Sequence, residues 1–137
     1  MYKAIHLLLA TLLLGVHVFN TLLIRGTAHT RHPELIDRTL KMSLSMDKII
    51  ISFFVIVFMS GTLIVPTYHW HYDTPWISAA YLLLTCTGIL WAINAWLKYR
   101  ALQTEQLNRH WFYAISIAIF ITLSLVIKDA VTKHTWI

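Results

Sequence analysis

The stretch Ala4–Ile24 reads AIHLLLATLLLGVHVFNTLLI, 21 residues with no Asp, Glu, Lys or Arg. Crossing a bilayer as a helix takes about 20 mostly apolar residues, so this run is long enough to span. Backbone groups in lipid must satisfy one another, and barrel strands show alternation in segments of about ten residues. A continuous run of this length is therefore a helix. A cleaved signal peptide is the competing reading. The apolar run is too long for one, and Arg25 follows with no small-x-small cleavage site.

Three further runs repeat the pattern: about Ile49 to Pro66, Pro75 to Leu97, and about Trp111 to Ile127. Composition agrees. Hydrophobic residues make up 58% of the 137-residue chain and charged residues 12%, about half the charge of a soluble domain. A chain this small cannot hide that much apolar surface in a water-soluble core. The expected fold is all-α, a single domain of four transmembrane helices.

Charge sets the orientation. The loop after span one carries Arg25, Arg31, Arg38, Lys41 and Lys48, and the loop after span three carries Lys98, Arg100 and Arg109. The opposite face holds Lys3, Lys128 and Lys133. Eight basic residues against three place both basic loops inside. Both termini and the Thr67–Thr74 loop then face outward, which in a bacterial inner membrane is the periplasmic side. The net charge of +5 is a topology signal, so no nucleic-acid partner is expected. The expected surroundings are the lipid bilayer, with other membrane proteins or further copies of the chain as candidate partners.

The segment Arg25–Lys48 is long for a helix connection. Its Pro33-Glu34-Leu35-Ile36-Asp37 reads as a helix start, either of an interfacial helix or of an inward extension of span two. Tyr81, Thr85, Gly88, Ala92 and Ala95 form a stripe of mostly small residues expected to face neighbouring helices. Trp70 and Trp76 on one side, and Trp96, Tyr99, Trp111 and Tyr113 on the other, are expected interface anchors.

Eight histidines carry the candidate chemistry. His6 and His17 lie eleven residues apart, about 20° around a helix and about 16 Å along it. Asn20 follows one turn on, so the three share a face, and polar groups within a span point into the bundle. His6 is expected level with the outer loop Tyr68-His69-Trp70-His71-Tyr72-Asp73. Imidazoles ligate copper, zinc and haem iron. His6, His17 and Asn20 are thus candidate cofactor ligands for a b-type haem. His69, His71 and Asp73, with His134 nearby, are candidate metal ligands. Set against this, His-x-His pairs recur in loops that bind nothing, and a buried His17 is equally served by Asn20 or a backbone carbonyl. A haem at His17 would need a ligand from another span; spans two and three contain no His, and Met59 is the candidate there. Asp47 is read as a charge at a helix start or as a proton-relay residue. Lys128 and Asp129 are read as interfacial. The single Cys86 forms no intrachain disulfide. With no glycine-rich phosphate loop, zinc-protease motif or topologically supported Ser-His-Asp set, hydrolytic and nucleotide-dependent chemistry is not expected.

The order of Lys3-Ala4-Ile5-His6, Gly15, Thr30-Arg31-His32-Pro33, Asp47, Gly61, Trp76, Gly88-Ile89-Leu90-Trp91 and Lys128 resembles a family of small bacterial four-helix integral membrane proteins. That family is distantly similar to the HemJ-type protoporphyrinogen oxidases and the CopD-type copper-resistance proteins. The HemJ likeness implies a haem ligand at His6 and oxidation of a porphyrinogen. Its second position, a Lys or His early in span three, is missing here, where Trp76-Ile77-Ser78-Ala79-Ala80 stands. The CopD likeness implies copper handling at His69 and His71, without a Met-rich motif. A non-catalytic accessory subunit of a larger complex and a metal transporter are the other readings.

Overall fold

The computed structural model describes residues 2–28, 32–104 and 106–132. Four helices account for almost all of them: α1 (Tyr2–Ala28), α2 (Pro33–Thr67), α3 (Pro75–Thr104) and α4 (Arg109–Thr132). All four are long and apolar enough to cross a membrane. His29, Thr30, Arg31, Lys133 and His134 lie outside the described residues.

The helix boundaries follow local chemistry. Pro33 and Pro75 stand at the first positions of α2 and α3, where a missing N–H is no loss. Asn108 starts α4: its Oδ1 accepts from the Trp111 N–H at 3.4 Å and its carbonyl from the Phe112 N–H at 3.0 Å. The end of α2 has more parts. Pro66 lacks the N–H that would bond the Thr62 carbonyl, and the Tyr72 hydroxyl donates to that carbonyl at 2.9 Å. The Trp70 N–H then reaches back to the Val65 carbonyl and the His69 N–H to the Pro66 carbonyl, both at 3.0 Å. This is a Schellman closure. His69 takes the left-handed position, at φ 56°, that glycine usually fills.

Each helix packs against its neighbours in sequence, and α4 closes back on α1. The buried positions of α1 are Ala10, Leu13, His17, Asn20 and Ile24. Those of α4 are Phe112, Ser116, Ile119, Leu123, Val126 and Asp129. Spacings of three and four give the narrow seam of a coiled-coil-like bundle, and the remaining apolar side chains face outward, where lipid solvates them.

Two apolar layers lie along the seam. One contains Leu13, Ile50, Trp91, Ile119 and Leu123, the other Ile24, Leu40, Ala101 and Phe112. The second reflects the length of α2. α2 has 35 residues, about 52 Å, against a hydrocarbon core of about 30 Å. Span two is therefore the outer part of one continuous helix, and the extension reading of Pro33–Lys48 holds over the separate interfacial helix. Arg38, Lys41 and Lys48, expected in a loop, lie on this helix.

The stripe on α3 is only half packed. Thr85 and Ala92 are exposed, and Gly88 approaches Phe54 of α2, whose Cζ lies 3.5 Å from where a Cβ would stand. The face of α3 that enters the core is instead Ile77, Leu84, Thr87, Trp91, Asn94, Lys98 and Ala101.

Candidate functional site

The stripe His6, His17, Asn20 does turn inward, but it serves two places. His6 sits near the outer ends of α1 and α2, where its Nδ1 lies 2.8 Å from Ser60 Oγ. The Ser60 hydroxyl spends its one hydrogen on the Val57 carbonyl, 2.9 Å away. A single tautomer satisfies both contacts: Nδ1–H donates to Ser60 Oγ, and Nε2 keeps its lone pair. The ring rests on Gly61, where a Cβ would come within 3.2 Å of His6 Cε1. Beside it lies a cavity of about 340 Å³ between all four helices. Its walls are mostly apolar, with Trp70, Trp76, Tyr81 and Leu84 prominent. Lys3 stands at this end with its Nζ 3.7 Å from the Tyr68 ring centre and 4.4 Å from that of Trp70, a cation–π contact.

The Schellman closure helps to build this cavity. Val65 and Trp70, joined by the hydrogen bond of that closure that spans five residues, both line it. His69, His71 and Asp73 are exposed on the loop. Among the described residues no three of His, Cys, Asp and Glu come together at metal-binding spacing.

Deeper in the bundle a second polar site forms, and sequence reasoning identified only part of it. Lys98 Nζ donates to both oxygens of Asp47, at 2.9 and 2.7 Å. Asn20 Nδ2 adds a third donor to Asp47 Oδ1 at 2.9 Å. Asp47 is 3% and Lys98 2% exposed. Lys98 was counted among the loop charges. It lies on α3, on the seam that Trp91 and Asn94 mark, and turns inward. The signal was available: Lys98 falls seven residues after Trp91, in register with a buried face. What the sequence could not supply was the partner, 51 positions away.

His17 borders this site. Its Nε2–H donates to the Ser116 carbonyl at 3.1 Å, and its ring meets the edge of Trp91 with centroids 5.9 Å apart. Asn94 Nδ2 donates to Ser116 Oγ at 3.0 Å. Of the two readings of His17, the backbone carbonyl is the one the structure provides. Asp129, read as interfacial, is instead 1% exposed on the core face of α4, and its Oδ1 has no hydrogen-bond partner.

The arrangement offers two chemistries. The outer cavity presents one imidazole lone pair to an apolar space near the lower end of the size range for small-molecule sites. The inner site holds a protonatable pair away from water. No curated protein and no solved structure matches the chain. Residues 1–111, which include His6, Asp47 and Lys98, match the family described as "Predicted integral membrane protein (DUF2269)", and the chain belongs to that family of integral membrane proteins.

Proposed function

We propose that this is a haem- or metal-binding membrane protein of redox type, with its ligand held at His6 in the outer cavity. The observation that carries this reading is the contact of His6 Nδ1 with Ser60 Oγ, whose own hydrogen bond to the Val57 carbonyl favours the tautomer that leaves Nε2 bare. A ligating histidine characteristically donates its other ring N–H to a fixed partner, which orients the ring and raises its basicity. Ser60 fills that role. Apolar walls suit a flat, poorly solvated group such as b-type haem, and Gly61 leaves room beside the ring. The resemblance to HemJ-type proteins read from the sequence would place a haem ligand at the same residue. With the basic loops inside, this cavity opens on the outer side of a bacterial inner membrane.

A haem iron or copper ion in that place would supply one-electron chemistry. The chain would supply one imidazole ligand, a water-poor cavity and, through Lys3, a cation for an acidic substituent. His17 and Asn20 are committed to Ser116 and Asp47, so they fall outside this ligand set. His69 and His71 remain candidate copper ligands of the outer loop, independent of the cavity.

Absorption spectra of the protein purified in mild detergent test the reading. A Soret band is expected in the native protein, lost in His6→Ala and in Gly61→Leu, and retained in His17→Ala. A colourless preparation free of iron, copper and zinc by elemental analysis would overturn it. Stoichiometric co-purifying proteins in such a preparation would favour the accessory-subunit reading instead.

A further inference from the structure

The inner site is independent of the outer ligand and needs its own explanation. Removing two charges from water costs several kcal/mol per ion, and well-packed apolar residues of similar volume often serve stability as well or better. Packing alone therefore gives no reason for Asp47 and Lys98 to face the seam. Ionisable residues inside membrane bundles mark ion or proton pathways.

Three observations give the pair a direction. First, Thr39, Ser43 and Asp47 follow one another at four-residue steps along α2, all buried. They form a polar line from the basic-loop end up to the pair. Second, a pocket of about 360 Å³ opens at that end, lined by Thr27, Thr39, Gln106 and Arg109 and reaching Ile24 and Leu40 of the second apolar layer. Third, the opposite side is closed by Leu13, Ile50, Trp91, Ile119 and Leu123.

Two buried polar atoms next to the pair have no partner: Asn20 Oδ1 and Ser43 Oγ. Both residues are nearly inaccessible, and unsatisfied groups of this kind call for a specific cause. An ammonium released from Asp47 would find two acceptors there. The site therefore holds one set of partners in use and a second set in reserve.

We propose that Asp47 and Lys98 form a one-sided proton site, reached from the basic-loop face along Thr39 and Ser43. A hydronium ion at the inner pocket gives up its proton to the Asp47 carboxylate: one O–H bond breaks on hydronium, leaving water, and one forms on Asp47, giving a neutral acid. Lys98 keeps its three protons and its charge, loses its counter-ion, and turns to Asn20 Oδ1 and Ser43 Oγ. No electron moves and no other bond breaks. The charged and titratable groups around Asp47 are Lys98 from α3 and His17 from α1. From α4 come the neutral Ser116, which His17 and Asn94 contact, and, nearer the basic loops, the titratable Tyr113, whose hydroxyl is buried without a partner.

Infrared difference spectra of the purified protein, recorded on acidification, test the site directly. A protonated-carboxyl band is expected to appear reversibly, to shift in deuterium oxide and to be lost in Asp47→Asn. Thiol labelling in oriented vesicles supplies a second readout with the pair intact, in a Cys86→Ser background. Ser43→Cys is expected to react with a small membrane-impermeant cationic reagent only from the side that labels His110→Cys, and Ile50→Cys from neither side. The proposal is overturned if no such band appears before the helices unfold. It is equally overturned if Ser43→Cys stays unlabelled from both sides, or if it labels from the opposite side.

Discussion

Asp47 and Lys98 show how a single contact changes the meaning of a residue. Either charge alone would be an expensive burial, and together they form a neutral, hydrogen-bonded unit. Lys98→Met alone should destabilise the bundle by about 3–5 kcal/mol, because it strands the Asp47 charge, whereas Asp47→Asn should cost less, because Asn20 Oδ1 and Ser43 Oγ can accept from the Lys98 ammonium. The double variant Asp47→Leu with Lys98→Met should recover much of that loss. Denaturant titrations of the three variants in one detergent check this order, and a double variant as unstable as Lys98→Met would contradict it. His69 makes the contrasting case. It occupies a left-handed position as the closing residue of α2, a conformation that costs a non-glycine residue about 1–2 kcal/mol. His69→Gly should therefore stabilise the protein by about 1 kcal/mol, read as a rise in melting temperature. A fall would assign the imidazole a contact that outweighs the backbone strain.

At the scale of elements, α2 is the unusual member. Its first four turns extend past the span and carry their own apolar contacts, through Leu40 and Ile36 against Ile24, Ala101 and Phe112. Leu40→Ala should cost about 2–5 kcal/mol. Leu63→Ala, on the outward face of the same helix where the side chain is 66% exposed, should stay within about 0.5 kcal/mol. Equal losses at both positions would mean that the outward face of α2 is covered by protein rather than by lipid. The period of the buried residues was legible here, because three- and four-residue spacings are written in the chain. The length of α2 was left open between a separate helix and an extension, because Arg38, Lys41 and Lys48 end the hydrophobic run without ending the helix. Charged residues break a hydropathy window, whereas they are good helix formers.

For the whole molecule, the distribution of Lys and Arg predicts a topology with both termini and the 67–74 loop on one side. Reporter fusions check it. A phosphatase that works only outside the cell should be active at either terminus and inactive between α3 and α4, after Leu107. The reverse pattern would invert the bundle and move the outer cavity to the cytoplasmic side. Moving Lys98 from the loop tally to the interior leaves seven basic residues against three, so the expected orientation stands.

Four helices, their order and the inward stripe of α1 follow from the sequence alone. Each depends on local quantities: the length of an apolar run, the 3.6-residue period, and the intolerance of lipid for unpaired backbone groups. The inward turn of His6, His17 and Asn20 was legible for the same reason. Their partners were not, since Ser60, Ser116 and Asp47 come from other helices 54, 99 and 27 positions away. Only the packing of four helices divides one stripe between an apolar cavity and a charged pair. Only that packing turns Lys98 from a topology marker into half of a buried ion pair, because burial belongs to the assembled bundle and not to any single helix.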